Sequence, residues 1–275
     1  MAATLEQSPD LASIKRRQQA TWASGDYAAV GALIVPVAER LVDLADLRAG
    51  SRVLDVATGS GNAAIAAARL ASEVVGIDYV DSLLERGRER AAAEGLPVDL
   101  RPGDAEDIPF PDASFDAVLS VFGSMFAPDH VQTARELARV TRPGGTIALA
   151  SWTPEGFIGG LFRVVARYVP PPAGVASPAL WGTAGYLESL FGSAVRWTHS
   201  TETFTFRFPS AEAFVDYFSV HYGPTRKTLE AAGERGHAFQ AELAELARSS
   251  SRLEADGPVA IPATYLVSIG VRNAV

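Results

Sequence analysis

The chain has no cysteine among its 275 residues, which removes disulfides, a thiol nucleophile and thiolate metal sites. Lysine is nearly as scarce: Lys15 and Lys227 are the only two, and the arginines are scattered rather than clustered. With a formal net charge of −8 the basic face that duplex nucleic acid needs is missing, so a nucleic-acid partner is not expected. The four histidines are dispersed, with no i, i+4 pair of ligands, and a metal site has no support. Long apolar runs are lacking too. The most apolar early stretch, Gly31 to Ala38, contains Pro36 and is too short to span a bilayer. No basic amphipathic helix argues for surface binding, and the N-terminus lacks the order of a secretory signal. A cytoplasmic protein without stable membrane insertion is the expectation, and a homodimer is allowed.

What is present is an alternation. Residues 1 to 10 show no apolar periodicity and read as an arm. Leu11 to Ala23 predicts a weakly amphipathic helix, Ser24-Gly25-Asp26 a stop and a cap, and Tyr27 to Leu47 a second helix bent or restarted at Pro36. Strands then follow at Arg52–Val56, Glu73–Asp78, Val98–Arg101, Phe115–Phe122 and Thr146–Ser151, with helices at Ala63–Leu70, Val80–Ala93 and Val131–Val140 between them. Arg142-Pro143-Gly144-Gly145 reads as a turn before the fifth strand. Five strand and helix alternations at short spacing predict a doubly wound parallel α/β sheet. Beyond Trp152 come helices at Ile158–Tyr168 and Tyr186–Phe191. The strictly alternating Phe204–Phe208 marks a strand beginning near Val195, helices follow at Ser210–Tyr222 and Glu234–Leu253, and Thr264–Val271 is a final strand. The expected organisation is cap helices over 1–48, a ligand-binding core over 49–152, and over 153–275 a lid that also completes the sheet.

The chemistry concentrates at Arg52-Val53-Leu54-Asp55-Val56-Ala57-Thr58-Gly59-Ser60-Gly61-Asn62. A strand passes through a turn with two glycines into an alanine-rich helix start, where free N–H groups and the positive end of the helix dipole favour a ligand. Asp78 ends the second strand and Asp104 follows the third. In an open α/β sheet these points meet outside the carboxyl ends of the strands. Asp78 is placed to accept from ribose hydroxyls, and Asp104 from an exocyclic amine with the Ala105 N–H facing a ring nitrogen. Together they describe an adenosine.

At Val53–Gly61, Val75–Asp78, Gly103-Asp104-Ala105-Glu106-Asp107-Ile108-Pro109-Phe110, Ser114-Phe115-Asp116 and Arg142–Gly145 the chain resembles the class I S-adenosylmethionine-dependent methyltransferases. Within them it is most similar to the small-molecule branch (type 11) that includes the ubiquinone/menaquinone C-methyltransferases. The resemblance runs from about residue 50 to 152 and departs from the commonest pattern at Ala57, where many members carry a further glycine. It implies a Rossmann-like, mostly parallel seven-stranded sheet with N-terminal cap helices and a helical lid inserted before the last strand. It also implies S-adenosyl-L-methionine as cofactor and methyl transfer to a carbon, oxygen or nitrogen of an aromatic, quinone or natural-product acceptor.

By the same resemblance Gly59 and Gly61, with Thr58 and Ser60 in the same turn, pass close to the methionine and ribose, and Asp55 orients the turn and the amino group. Asp78 holds the ribose, Tyr79 and Leu83 flank the adenine, and Asp104 with Ala105 reads its edge. Val121, Phe122 and Gly123 border the methyl donor, the Ser124-Met125-Phe126 loop faces the acceptor, and Trp22 and Tyr27 belong to the cap. An acidic acceptor needs a base only if it is not already ionised; the candidates are His221, Tyr222 and His130, whereas His199 and His237 read as surface groups. Two other readings stay open. Gly59-Ser60-Gly61-Asn62-Ala63-Ala64 fits the G-x-G-x-x-A of a nicotinamide-dependent oxidoreductase, although no Tyr-x-x-x-Lys follows, and a cofactor-binding, non-methylating member of the fold would carry the same residues.

Overall fold

Valine, isoleucine and leucine in short runs pair into the centre of a sheet, because strands buried on both faces have no position to spare for polar side chains. In the computed structural model, which describes residues 9–254 and 257–274, β1 (Arg52–Val56), β2 (Glu73–Asp78), β3 (Val98–Pro102), β4 (Phe115–Val121) and β5 (Thr141–Trp152) are parallel. β6 (Val195–Phe208) and β7 (Val259–Arg272) close one side, β7 running antiparallel to both β5 and β6. The order is β3-β2-β1-β4-β5-β7-β6. The sheet therefore reverses direction between β1 and β4, and the crevice for a ligand lies at the carboxyl ends of those two strands.

Helices cover both faces. α1 (Leu11–Trp22), α2 (Tyr27–Leu33) and α3 (Val35–Leu44) precede the sheet. The helix expected from Tyr27 to Leu47 is in fact two, because Pro36 enters at the first turn of α3 and cannot extend the hydrogen-bond ladder of α2. α4 (Asn62–Ala68) is buried at every position from Ala63 to Ala68; its small side chains let it lie between the sheet and α3 without overpacking. α5 (Asp81–Ala93) and α6 (His130–Val140) complete the parallel half. After β5 come α7 (Phe157–Tyr168) and α8 (Ala184–Phe191), and between β6 and β7 lie α9 (Ala211–His221), α10 (Gly223–Ala232) and α11 (Gly236–Ser250).

Three sequence expectations change. Arg142-Pro143-Gly144-Gly145 is not a free turn but an irregularity inside β5: Phe115 pairs with Thr141 and Ala117 with Thr146, so four residues of β5 stand opposite Asp116 alone. Asp116 stabilises the excursion by pairing with Arg142 and accepting from the Arg52 N–H at 2.7 Å. α10 (Gly223–Ala232) has no counterpart among the sequence expectations, since Gly223 and Pro224 mask its start. β7 begins at Val259 rather than Thr264; Pro262 is tolerated because it lies beyond the end of β5, where β7 pairs with β6 alone. The arm read over residues 1 to 10 falls mostly outside the described residues.

The N-terminal helices are seated on the lid by backbone contact. Tyr217 Oη donates to the Ala29 carbonyl at 2.9 Å and Arg226 to the Ser24 carbonyl at 2.6 Å. A Cβ at Gly223 would overlap the Thr21 carbonyl, and one at Gly25 would overlap that of His221. Neither partner is a flexible side-chain end, so the chains must separate to admit a methyl group. Gly223→Ala is expected to cost about 1–3 kcal/mol through this overlap, which thermal denaturation reads as a melting temperature lowered by several degrees; an unchanged midpoint would show that the two segments do not pack this closely.

Candidate active site

The turn after β1 is held from two sides by buried carboxylates. Asp55 Oδ2 accepts from Thr58 Oγ1 at 2.6 Å and from the Ala64 N–H at 2.9 Å. Asp78 accepts from the Gly59 N–H and the Val80 N–H, both at 2.9 Å. The Ser60 carbonyl and Asn62 Oδ1 each take a hydrogen bond of 2.6 Å from Arg90 of α5, and Asn62 Nδ2 donates to the Gly31 carbonyl of α2 at 2.8 Å. Gly59 and Gly61 have φ of +55° and +82°, where a side chain would be strained. Ala57 adopts φ +54° without being glycine, and its Cβ and carbonyl stand where a Cβ on Gly123 would have to go.

This turn forms one wall of a cleft of about 910 Å³, including the part open to solvent. Asp55, Thr58, Gly59, Ser60, Asp78, Tyr79, Leu83, Asp104, Ala105, Val121 and Phe122, all singled out in the sequence, line it together with Trp22 and Tyr27 of the cap. Gly61 borders it from behind, packed against Gly87 of α5. Three contributors escaped sequence reasoning. Lys15 of α1 reaches Asp104 Oδ2 and Glu106 Oε2, each at 2.6 Å, while Gln18 and Gln19 donate to the carbonyls of Phe126 and Tyr79. The rarity of lysine was the one available signal for Lys15.

A second, smaller cavity adjoins the first. Trp22, Tyr27, Ile34, Phe122 and Phe126 line both, and Val30, Trp152, Ile158, Phe206, Phe218 and Tyr222 close the second. Phe122, with φ +57°, stacks on Trp152 at 3.7 Å between centroids and 6° between planes. Trp22 meets the rings of Tyr27, Phe126 and Tyr222 edge-on. One chamber thus sets acidic groups among largely apolar walls, and the other is aromatic.

Of the three base candidates only Tyr222 lines either cavity. His130 is buried on α6 with Nδ1 2.8 Å from Tyr186 Oη, its ring edge against Trp181 and a hydrogen bond to the Met125 backbone. Burial lowers its pKa to about 4, so it is neutral and faces away from the cleft. His221 ends α9 with its ring on Tyr217 and its backbone against Gly25. His199, read as a surface group, is half-buried between Ser268 and Glu188. Among the described residues no group of three or more metal-ligating side chains occurs, and no helix is long and apolar enough to cross a membrane.

The acids fit a cationic adenosine derivative. Asp55 and Asp78 have no cationic partner among the described residues, and desolvation raises their pKa values to about 7 and about 6 against the hydrogen bonds they accept. A positive charge in the cleft would offset that cost, and the remaining lone pairs of Asp78 suit a diol.

Comparison with known proteins agrees with this geometry. Residues 54–149 match a family model described as a methyltransferase domain. An uncharacterised Mycobacterium bovis protein, Mb1438c, is 43% identical over 82% of this chain and 85% of its own. Demethylmenaquinone methyltransferase of Thermus thermophilus is 38% identical over 54% of this chain and 69% of its own. The crystal structure of the YcgJ protein of Bacillus subtilis superposes with a TM-score of 0.62 at 18% identity, over 86% of this chain and 98% of that one.

The raised acid pKa values have a signed consequence. The folded state holds the Asp55 proton more tightly than the unfolded chain, so the ionisation penalty is absent below about pH 4, grows as pH rises, and is complete above about pH 7. Asp55→Asn removes it. The stability of Asp55→Asn relative to the parent should therefore rise between pH 4 and 7 in paired thermal melts; a constant difference would place Asp55 in a solvated or already neutralised setting.

Proposed function

From the premise that the chain belongs to the class I S-adenosylmethionine-dependent methyltransferases, we propose that it methylates a small aromatic molecule held in the chamber beside Phe122 and Trp152. The observation that carries the acceptor side is that the acidic cleft and the aromatic cavity lie side by side, with Tyr27 and Phe122 among the residues lining both. An acceptor of the quinone or natural-product type suits such walls, since flat rings stack on Phe and Trp faces. The Thermus relative is named for a quinone of this kind.

S-adenosylmethionine, bound in the acidic cleft, supplies a methyl group on a positively charged sulfur. In the proposed arrangement the main task of the chain is alignment and exclusion of water. Gly59 and Gly61, flanked by Thr58 and Ser60, give room for the backbone to approach the methionine and ribose, and Asp55 keeps the turn in shape. Asp78 takes the ribose diol. Tyr79 and Leu83 flank the adenine, whose edge meets Asp104 and the Ala105 N–H. Val121 and Phe122 border the reacting methyl, and Trp22 and Tyr27 close the site from the cap. Tyr222 is the catalytic candidate that keeps its place, because it alone of the three faces the acceptor chamber; His130 and His221 would act only on the packing around it.

Trp22→Ala removes three edge-on ring contacts, each worth about 0.5–1.5 kcal/mol, from a residue that touches both cavities. Calorimetry should show affinity for S-adenosylhomocysteine reduced about tenfold or more with the far-ultraviolet spectrum unchanged; an unaltered dissociation constant would remove the cap from the binding site. Scanning fluorimetry of the parent should show stabilisation by S-adenosylhomocysteine and none by NADH, the reverse pattern returning the oxidoreductase. Release of S-adenosylhomocysteine from the cofactor in the presence of aromatic acceptors separates a methyltransferase from a member of the fold that only binds.

A further inference from the structure

The aromatic chamber is short of bases and supplied with donors. Among its described lining residues there is no Asp, Glu, His, Lys or Arg. Neither His130, held by Tyr186 and Met125, nor His221, whose Nδ1 is buried without a hydrogen-bond partner beside the Tyr217 ring, lines the chamber. Asp55 and Asp78 lie on the cofactor side, each accepting two hydrogen bonds from the turn or its flank. The hydroxyls of Tyr27 and Tyr222, by contrast, have no hydrogen-bond partner among the described residues. Burial is the main cause holding both phenols in the protonated form, and Asp78 beside Tyr27 adds to it. Neither oxygen is sealed within the protein, and both belong to rings that line the cavity.

We infer that the acceptor is a flat enol or phenol acidic enough to arrive ionised, methylated on its oxygen, with that oxygen held by the hydroxyls of Tyr222 and Tyr27. This rests on the methyltransferase reading of the same site. The anionic oxygen forms the new bond to the methyl carbon, the carbon–sulfur bond breaks with its electron pair left on sulfur, and the two opposite charges cancel. No proton has to be removed. Attack from an aromatic ring carbon would leave a proton on that carbon for a base to take, and attack from an amine would leave a charged nitrogen among aromatic walls with no carboxylate to meet it. Two phenol donors suit an oxyanion, and charge-assisted hydrogen bonds of this kind are the strong ones. The same donors would weaken a nucleophile if they were too many; two leave lone-pair density free for attack.

The test uses the full chain loaded with S-adenosylhomocysteine and titrated by calorimetry with 4-hydroxycoumarin, an enol ionised at neutral pH. Coumarin and 4-aminocoumarin are the uncharged frames of the same shape. The expected result is that 4-hydroxycoumarin binds about tenfold or more tighter than either. Tyr222→Phe should bring the three within about threefold of one another. S-adenosylhomocysteine affinity should not change in that variant, because Tyr222 lies outside the cofactor cleft. Equal or tighter binding of the uncharged frames, no binding of 4-hydroxycoumarin to the loaded protein, or an unaffected preference in Tyr222→Phe would each overturn the inference while leaving the cofactor site intact. Failure of the parent to bind S-adenosylhomocysteine would strike the methyltransferase site itself, so the two failures are told apart in one series of titrations.

Discussion

Two buried carboxylates and one cation hold the loop between β1 and α4 in shape, and the rest of the site is built on that loop. Asp55 ties the turn to the start of α4, Asp78 ties it to the end of β2, and Arg90 anchors its carbonyl from behind. Fixing the loop fixes where β1, β2 and β4 present their carboxyl ends to the cleft. The cost is visible in the same groups: both acids are desolvated and titrate well above the ordinary carboxylate range. Strain collects there too, in the left-handed Ala57 and Phe122, as it does where a backbone is held for a ligand.

The site divides by chemistry. Four acids and the ion-paired Lys15 stand among apolar side chains in the larger cleft, and the smaller cavity is lined by rings and aliphatic groups alone. Tyr27 and Phe122 stand on the boundary. The N-terminal helices meet α9 and α10 closely at Gly25 and Gly223, and Tyr217 and Arg226 bridge the same segments. That contact explains how helices more than 180 residues apart in sequence behave as one wall; Tyr217 and Ala29, separated by 188 positions, are hydrogen-bonded.

The cofactor half was legible in the sequence because each of its parts is short and local. Gly59 and Gly61 announce a left-handed turn, and Asp78 and Asp104 stand at strand ends set by runs of apolar residues. The acceptor half was not. The walls of the aromatic cavity come from α1, α2, the segment after β4, β5, α7, β6 and the end of α9, each giving a few apolar side chains that read individually as core. Arg142 to Gly145 reads as a turn by composition, but pairing of β4 with β5 on both sides of Asp116 makes it part of a strand. His130 follows the loop at the mouth of the site in sequence, yet the first turn of α6 directs it inward to Tyr186, a residue 56 positions away.

By itself the sequence determined that β1 to β5 run parallel, that a glycine turn follows β1, and that acids stand at or just beyond the ends of β2 and β3, because backbone preference and apolar periodicity act over a few residues. Only the tertiary structure decided that Lys15 bridges Asp104 and Glu106, that His130 and His221 lie off the cleft, and that Tyr27 and Tyr222 share one chamber. Those outcomes depend on which distant surfaces exclude water from one another. The turn around Gly59 was written in one stretch of chain, and the chamber it opens onto exists only where many stretches meet.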